Sequence, residues 1–478
     1  MVEGVKFLAR PVKSLWCPQA VGVDEKVEAY VDDIEAVVGS DQDILLVDEV
    51  VDQFEKVSGA ILNRSKKSVI LGLGGWKDRK DWPLSWVKTV DKHKVFGIVL
   101  TARYQEMLKV NWEEQLQGLN KTIVSWASRV LDNVRARAEA LRVFALSRIW
   151  YKAQILPLPR DVERRMEEQV SAFLWRGQIT RHVLGKATVA LPTKRGGLNL
   201  PLVGLRCEVL RVRQLVRMIL SLRTRRHVTF WLGGKLGWEG LKEEWFVMRK
   251  GVRRGAKPVV ITSPYYQKWA AMFLKAKAKG IIDVDDLENV TTRQMYAEWM
   301  NLQSEAMVVL EEPDKPWSTI WARLLSGLVV DDAVNSAYLL AHNRLGTRER
   351  GVKLMPDKYK SNKCPNCDKE AETVVHRFST CEWVASMWAW MADLLKELDE
   401  GLDKVPVLDI LRFQYPKGLR ENAVTWLVGN YIAIITQEVV TKGRKLQVSE
   451  LVGMLRISTD KLKHRAVKDV GPIPHVSC

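Results

Sequence analysis

The sequence predicts an α+β protein, with a short mixed part near its start, a mostly α-helical remainder and a small CCHC zinc knuckle. Three observations predict it. Apolar residues alternate with others on either side of an acidic pair across residues 27–38 (VEAYVDDIEAVV), which suits two short strands with the pair at their turn. Downstream of residue 104 apolar residues recur every three or four positions, the helical period. Cys364, Cys367, His376 and Cys381 stand as C-x2-C-x8-H-x4-C, the ligand set of a closed tetrahedral zinc site.

The elements follow in order. In 43–57, Ile44, Leu45, Val47, Val50, Val51, Phe54 and Val57 lie close to helical spacing, and Ser58-Gly59 ends that helix. Residues 60–63 begin an extended piece, and 92–100 (KHKVFGIVL) read as one further strand. Helical patterns cover 112–126, 134–149 and 162–175, with Pro157 and Pro159 between the last two. A glycine-containing loop, LPTKRGGLNLP, precedes a basic helix over 204–226. Residues 231–350 are less legible, with helices at 265–278, 291–311 and 317–325; two more are expected at 383–398 and 423–440.

The excess of 74 Lys and Arg over 57 Asp and Glu, a net +17, favours an anionic partner. A membrane is not expected to be that partner. The longest apolar run, 423–435, contains Asn430 and is shorter than the roughly 20 residues of a spanning helix, so it reads as a buried helix. No charged-then-apolar leader opens the sequence. Cys17, Cys207 and Cys478 are far apart, which disfavours a disulfide framework and favours a reducing, intracellular compartment, nuclear or cytoplasmic.

Three of the six cysteines fall within 18 residues with a histidine among them, and all four positions are protein ligands. That combination points to structural Zn²⁺ rather than to chance or to a catalytic ion with an open position. The basic helix carries Arg206, Arg211, Arg213, Arg217, Arg223, Arg225 and Arg226 with Glu208 as its one acid. These arginines are candidate phosphate contacts, weighed against a solvated helical face. Lys363, Lys369 and Arg377 are further phosphate candidates beside the knuckle, and Trp383 a candidate for stacking on a base.

Tyr30-Val31-Asp32-Asp33 is the second chemical signal. Adjacent carboxylates on a tight turn can hold Mg²⁺, as two-metal nucleotidyl transfer requires; the bland alternative is a solvated acidic turn. Here the sequence resembles the reverse transcriptases of non-LTR (LINE-type) retrotransposons. YVDD followed by VSGAILNRSKKSVIL is similar to the later palm motifs, through Tyr30, Asp32, Asp33, Ser58, Gly59, Asn63 and Lys66. NWEEQLQGLNKTIVSWASRVL and ALSRIWYKAQILPLP resemble the helical thumb, and AFLWRG with LPTKRGGLNLP the segment after it. IWARLLSGLVVDDAVNSAYLLAHNRLGTRERG leading into the cysteine cluster resembles the zinc-binding region of such polyproteins.

The resemblance implies an RNA-directed DNA polymerase acting on RNA and DNA, the element transcript and its target. It implies a partial palm over 1–100, a thumb and basic connector over 101–230, a helical linker over 231–345, the zinc-binding domain over 346–400 and terminal helices over 401–478. A palm of this family also needs a third carboxylate on an earlier strand, and 29 residues precede Tyr30. The expectation is a truncated reverse transcriptase whose site (Asp32, Asp33, Lys66) is incomplete and inactive alone. The competing expectation is a non-catalytic, zinc-containing RNA- or DNA-binding protein.

Overall fold

The computed structural model describes residues 4–9, 27–30, 33–59, 61, 64, 68–129, 133–176, 184–250, 264–307, 315–418 and 420–463. The described chain is mostly helical with few strands, an α+β composition. It divides into two units that are not consecutive in sequence: Met1–Thr122 with Ala145–Glu167 and Val203–Leu302, and Ile123–Phe144 with Glu168–Leu202 and Gln303–Cys478.

The first unit holds a five-stranded sheet of β1 (Gly4–Ala9), β2 (Val27–Tyr30), β3 (Asp33–Val38), β4 (Val69–Gly72) and β5 (Lys88–Thr89), in the order β2-β3-β1-β4-β5. β2 and β3 form the expected hairpin, with Tyr30 paired to Asp33 and two residues between them. β1, which carries no alternating signal, lies parallel between β3 and β4.

Helix α1 (Asp41–Ser58) packs on this sheet through Ile44 and Val51, which join Ala36, Val38, Ile70 and Leu84 in one core. Its ends are chemically set. The Ser40 hydroxyl accepts from Asp43 N–H, the Asp43 carboxylate accepts from Ser40 N–H, and Gly59 closes the helix in the left-handed region at φ 70°. Asn63 and most of residues 60–63 lie outside the described residues.

The single strand expected over 92–100 is instead a hairpin of β6 (Lys92–Val95) and β7 (Ile98–Thr101). Phe96 at φ 44° and Gly97 at φ 79° turn it, because a two-residue loop with both φ values positive matches the twist of paired strands. Helix α2 (Tyr104–Ala127) anchors the hairpin through buried Asn111, whose side chain accepts from Val99 N–H (2.9 Å) and donates to Val99 C=O (2.7 Å).

The helix expected over 134–149 is not continuous. α3 (Val134–Ala140) passes into a π-turn over Leu141–Ala145 and a 3₁₀ turn over Leu146–Arg148. Two further helices, α4 (Trp150–Ile155) and α5 (Arg160–Leu174), flank the prolines. The basic helix is also broken, at Ser221, into α6 (Val203–Leu220) and α7 (Leu222–Leu232). α8 (Glu239–Lys250), α9 (Pro264–Ala278) and α10 (Thr292–Met307) follow.

In the second unit, α11 (Trp317–Leu324), α12 (Asp331–Ala341), α13 (Arg348–Leu354), α14 (Ala385–Leu398), α15 (Glu421–Ile434) and α16 (Val448–Lys463) surround one core. The helical stretch Glu421–Thr441 has the length and composition of a membrane span, yet most of it is buried in the fold. Buried Asn430 donates to Trp426 C=O (2.8 Å) and accepts from Ser458 O–H (2.5 Å), which settles its polar atoms inside that core. Buried Arg323 donates to the Glu421 carboxylate (2.8 Å) and Phe413 C=O (2.7 Å), with Tyr415 beneath its guanidinium.

The LPTKRGGLNLP loop is held at Gly196, whose φ of 82° favours glycine and whose Cα faces Trp317 too closely for a Cβ. Tyr338 O–H (3.0 Å) and His342 Nε2–H (2.8 Å) both donate to Gly196 C=O, and Trp317 stacks on His342. Burial pushes the His342 imidazole down from 6.5 to about 4. The unfolded chain therefore binds a proton there that the folded chain resists, and stability falls as pH drops from about 6.5 towards 4. Denaturant unfolding at pH 7 and 4.5 is expected to show a loss of roughly 2–3 kcal/mol from this group. His342→Gln should have a correspondingly shallower pH dependence; an unchanged one would show that another group carries it.

Candidate metal centre

Cys364, Cys367, His376 and Cys381 are brought together by three local structures. The first is the C-x2-C knuckle. Asp368 N–H donates to Cys364 C=O (2.9 Å), Cys364 N–H donates to Glu370 C=O (2.8 Å), and Asp368 turns the chain at φ 55°. The second is a small antiparallel bridge between Lys363 and Ala371, which returns the chain past the knuckle. The third is a π-turn over His376–Thr380. Its closing bond runs from Cys381 N–H to His376 C=O (2.9 Å), five residues back, so the H-x4-C spacing is that of the π-turn.

All four ligand atoms lie within 4.8 Å of one another. Cys364 Sγ and Cys381 Sγ are 3.8 Å apart, and Cys367 Sγ and His376 Nε2 are 3.3 Å apart. A tetrahedral ion with sulfur bonds near 2.3 Å has sulfur–sulfur edges of about 3.8 Å, so the donor set fits a metal ion such as zinc. Cys364, His376 and Cys381 are buried and Cys367 partly so. Among the described residues this is the one cluster of Cys, His or acidic groups arranged to hold a metal ion.

The electrostatics agree with a cationic guest. Burial pushes the Cys381 thiol up to about 12, with the adjacent Cys364 sulfur adding to the effect. Burial also acts upward on Cys367, but N–H donors from Lys369 and Glu370 and the His376 ring outweigh it and hold that thiol at about 7. Cys381 would give up its proton near neutral pH only if a cation stood among the sulfurs, as a bound metal ion would supply.

Around the ligands, the Glu370 carboxylate lies 3.0 Å from His376 Nδ1, which leaves Nε2 to face the metal. Glu372 is buried and accepts from Arg377 Nε (2.9 Å), Arg377 Nη2 (2.8 Å) and Arg348 N–H (2.7 Å); Arg377 also donates to Gly346 C=O. These bonds fix the ligand loop to the start of α13. Thr373 caps the π-turn by accepting from His376 N–H (3.0 Å). Glu370, Glu372 and Thr373 are supporting residues that no spacing rule signals in the sequence.

Other expected site residues are placed differently. Arg377 is not a free phosphate contact but the partner of Glu372, and Lys369 pairs with Glu382 at 2.5 Å; Lys363 is exposed and Trp383 half-buried. Asp32 and Lys66 lie outside the described residues, and Asp33 opens β3. The parallel neighbour of β3 is β1, whose sequence GVKFLA contains no carboxylate; the antiparallel neighbour, β2, carries Glu28.

The seven arginines do not form one stripe. Arg211 is buried, with its Nη1 3.1 Å from Met272 Sδ and its guanidinium over Trp269. It falls four residues after Cys207 and four before Leu215, both buried, which places it on the inward face of α6. Arg206 is half-buried near Tyr296 with its pKa lowered by burial, and burial likewise lowers Arg213, helped by Arg217. Arg225 is paired with Glu244. Arg217 and Arg226 are exposed; Arg223 lies in α7, and its side chain is outside the described residues.

The class of protein that fold and site define is a mostly helical α+β chain with a three-cysteine, one-histidine cluster that could hold a metal ion such as zinc. No protein-family model matches the chain, and no curated protein matches it.

Proposed function

We propose that this chain is the later part of a non-LTR retrotransposon reverse transcriptase, comprising the end of the palm, the thumb and the zinc-binding region, and that it binds RNA and DNA without polymerising alone. The metal is Zn²⁺ in a structural role, since protein ligands fill all four positions. The observation that carries the reading is the convergence of the four ligands within the segment that the motif order assigns to the zinc-binding region. The β2–β3 hairpin around the acidic turn supports it, as does the +17 charge. Among the arginines of the basic set whose side chains are described, Arg217 and Arg226 stand exposed for phosphate.

The absence of any carboxylate from β1 favours the non-catalytic form of the reading. Nucleotidyl transfer depends on carboxylates that place two ions, and Asp32 and Asp33 alone do not supply that frame. A primer–template assay with Mg²⁺ tests both halves. Binding is expected, with log K falling linearly in log salt, and no primer is expected to extend. Failure to bind at low salt would remove the nucleic-acid assignment. Extension that disappears in Asp32→Ala would show a complete polymerase site.

A further inference from the structure

We propose that the outward face of α1 is a self-association surface that pairs with α1 of a second copy of this chain, antiparallel about a two-fold axis. The inference is independent of the polymerase family. α1 spends Ile44 and Val51 on its own core, and Arg64 binds Asp48, Asp52 and Glu55. The opposite face carries Leu46, Val50, Phe54 and Val57 at 57, 55, 53 and 90% exposure. Their spacing of i, i+4, i+8 and i+11 makes one continuous apolar stripe. A contiguous stripe of large apolar side chains on a folded surface marks an interaction site rather than scattered exposure.

The flanking charges select the occupant. Glu49 and Lys56 are exposed beside the stripe, towards its two ends; the other exposed polar residues of α1, Gln42, Gln53 and Ser58, are uncharged, and the acids Asp41 and Asp52 are already paired with Arg79 and Arg64. A partner helix of one sign would match one of these charges and oppose the other. An antiparallel copy matches both. With the axis between Val50 and Phe54, Val50 lies on Phe54 of the partner subunit, and Glu49 approaches Lys56 of the partner subunit. Such a contact is isologous and therefore closes as a dimer, and antiparallel helices also oppose their dipoles favourably. The contact is small and the chains carry +17 each, so association is expected to be weak and to strengthen when salt screens the long-range repulsion.

Sedimentation equilibrium of the full, zinc-loaded chain tests this. A monomer–dimer equilibrium is expected with Kd on the order of 10–100 μM, as befits an interface at the low end of the size range. Val50→Asp, at an exposed position that leaves the fold intact by circular dichroism, should weaken it by roughly 30-fold or more by placing unpaired charge at the axis. Glu49→Lys and Lys56→Glu should each weaken it, and the two together should restore the wild-type Kd because the pairing is merely exchanged. A chain that stays monomeric across the range, assemblies larger than a dimer, or a double variant as weak as either single one would overturn the proposal.

Discussion

Cys381→Ala is expected to release the metal and to unfold the segment around it. Cys381 is buried, and its backbone N–H closes the π-turn, so the variant keeps the turn's hydrogen bond but loses the ligand. The remaining set of two thiols and an imidazole holds zinc far more weakly, and structural zinc contributes on the order of 10 kcal/mol to the folding of small zinc modules at neutral pH. Bound zinc should fall from one ion per chain to none. Amide exchange across 362–384 should accelerate to the rate of a locally open segment, and a strong chelator should produce the same change in the wild-type chain. Retained zinc stoichiometry in the variant would sink the ligand assignment.

Glu372→Ala is expected to cost about 3–5 kcal/mol, since it strands the mostly buried Arg377 guanidinium and removes the acceptor of Arg348 N–H. Glu372→Gln preserves shape and one acceptor oxygen, so its cost should be smaller. The measurement is denaturant unfolding at saturating zinc, which separates this ion pair from the metal. A loss below about 1 kcal/mol for the alanine variant would mean that the pair does not fix the ligand loop to α13.

The ligands themselves were legible because zinc demands particular atoms at short separations, and C-x2-C with a nearby histidine and third cysteine has few other uses. α1 was legible for a similar reason: its core positions keep the helical period and Ser58-Gly59 marks its end, while the Ser40 cap came to light only in the structure. What escaped the sequence depends on contacts distant along the chain. β1 has no amphipathic pattern and is defined by its neighbours β3 and β4. Arg211 looked like a phosphate ligand, yet α6 turns it inward beside Trp269. Arg377 likewise counted as a basic surface residue until Glu372 was placed against it.

The hairpin at 92–101 shows a different failure. The apolar run continues through Phe96-Gly97, so periodicity alone gives one strand, and only the positive φ values of both residues reveal the turn. The π-turns that follow α3 and α15 (the latter over Ile435–Thr441) and that hold His376 are equally invisible to a pattern with period 3.6. The last of these matters for the site, since a regular α-helix would not bond Cys381 N–H back to His376 C=O.

Zinc K-edge X-ray absorption on the purified 478-residue chain, with total metal measured on the same sample, tests the central claim most directly. One zinc per chain is predicted, with three sulfur scatterers near 2.3 Å and one nitrogen near 2.0–2.1 Å, the shell of a closed three-thiolate, one-imidazole site. A chain without metal, or a shell dominated by oxygen, would contradict it.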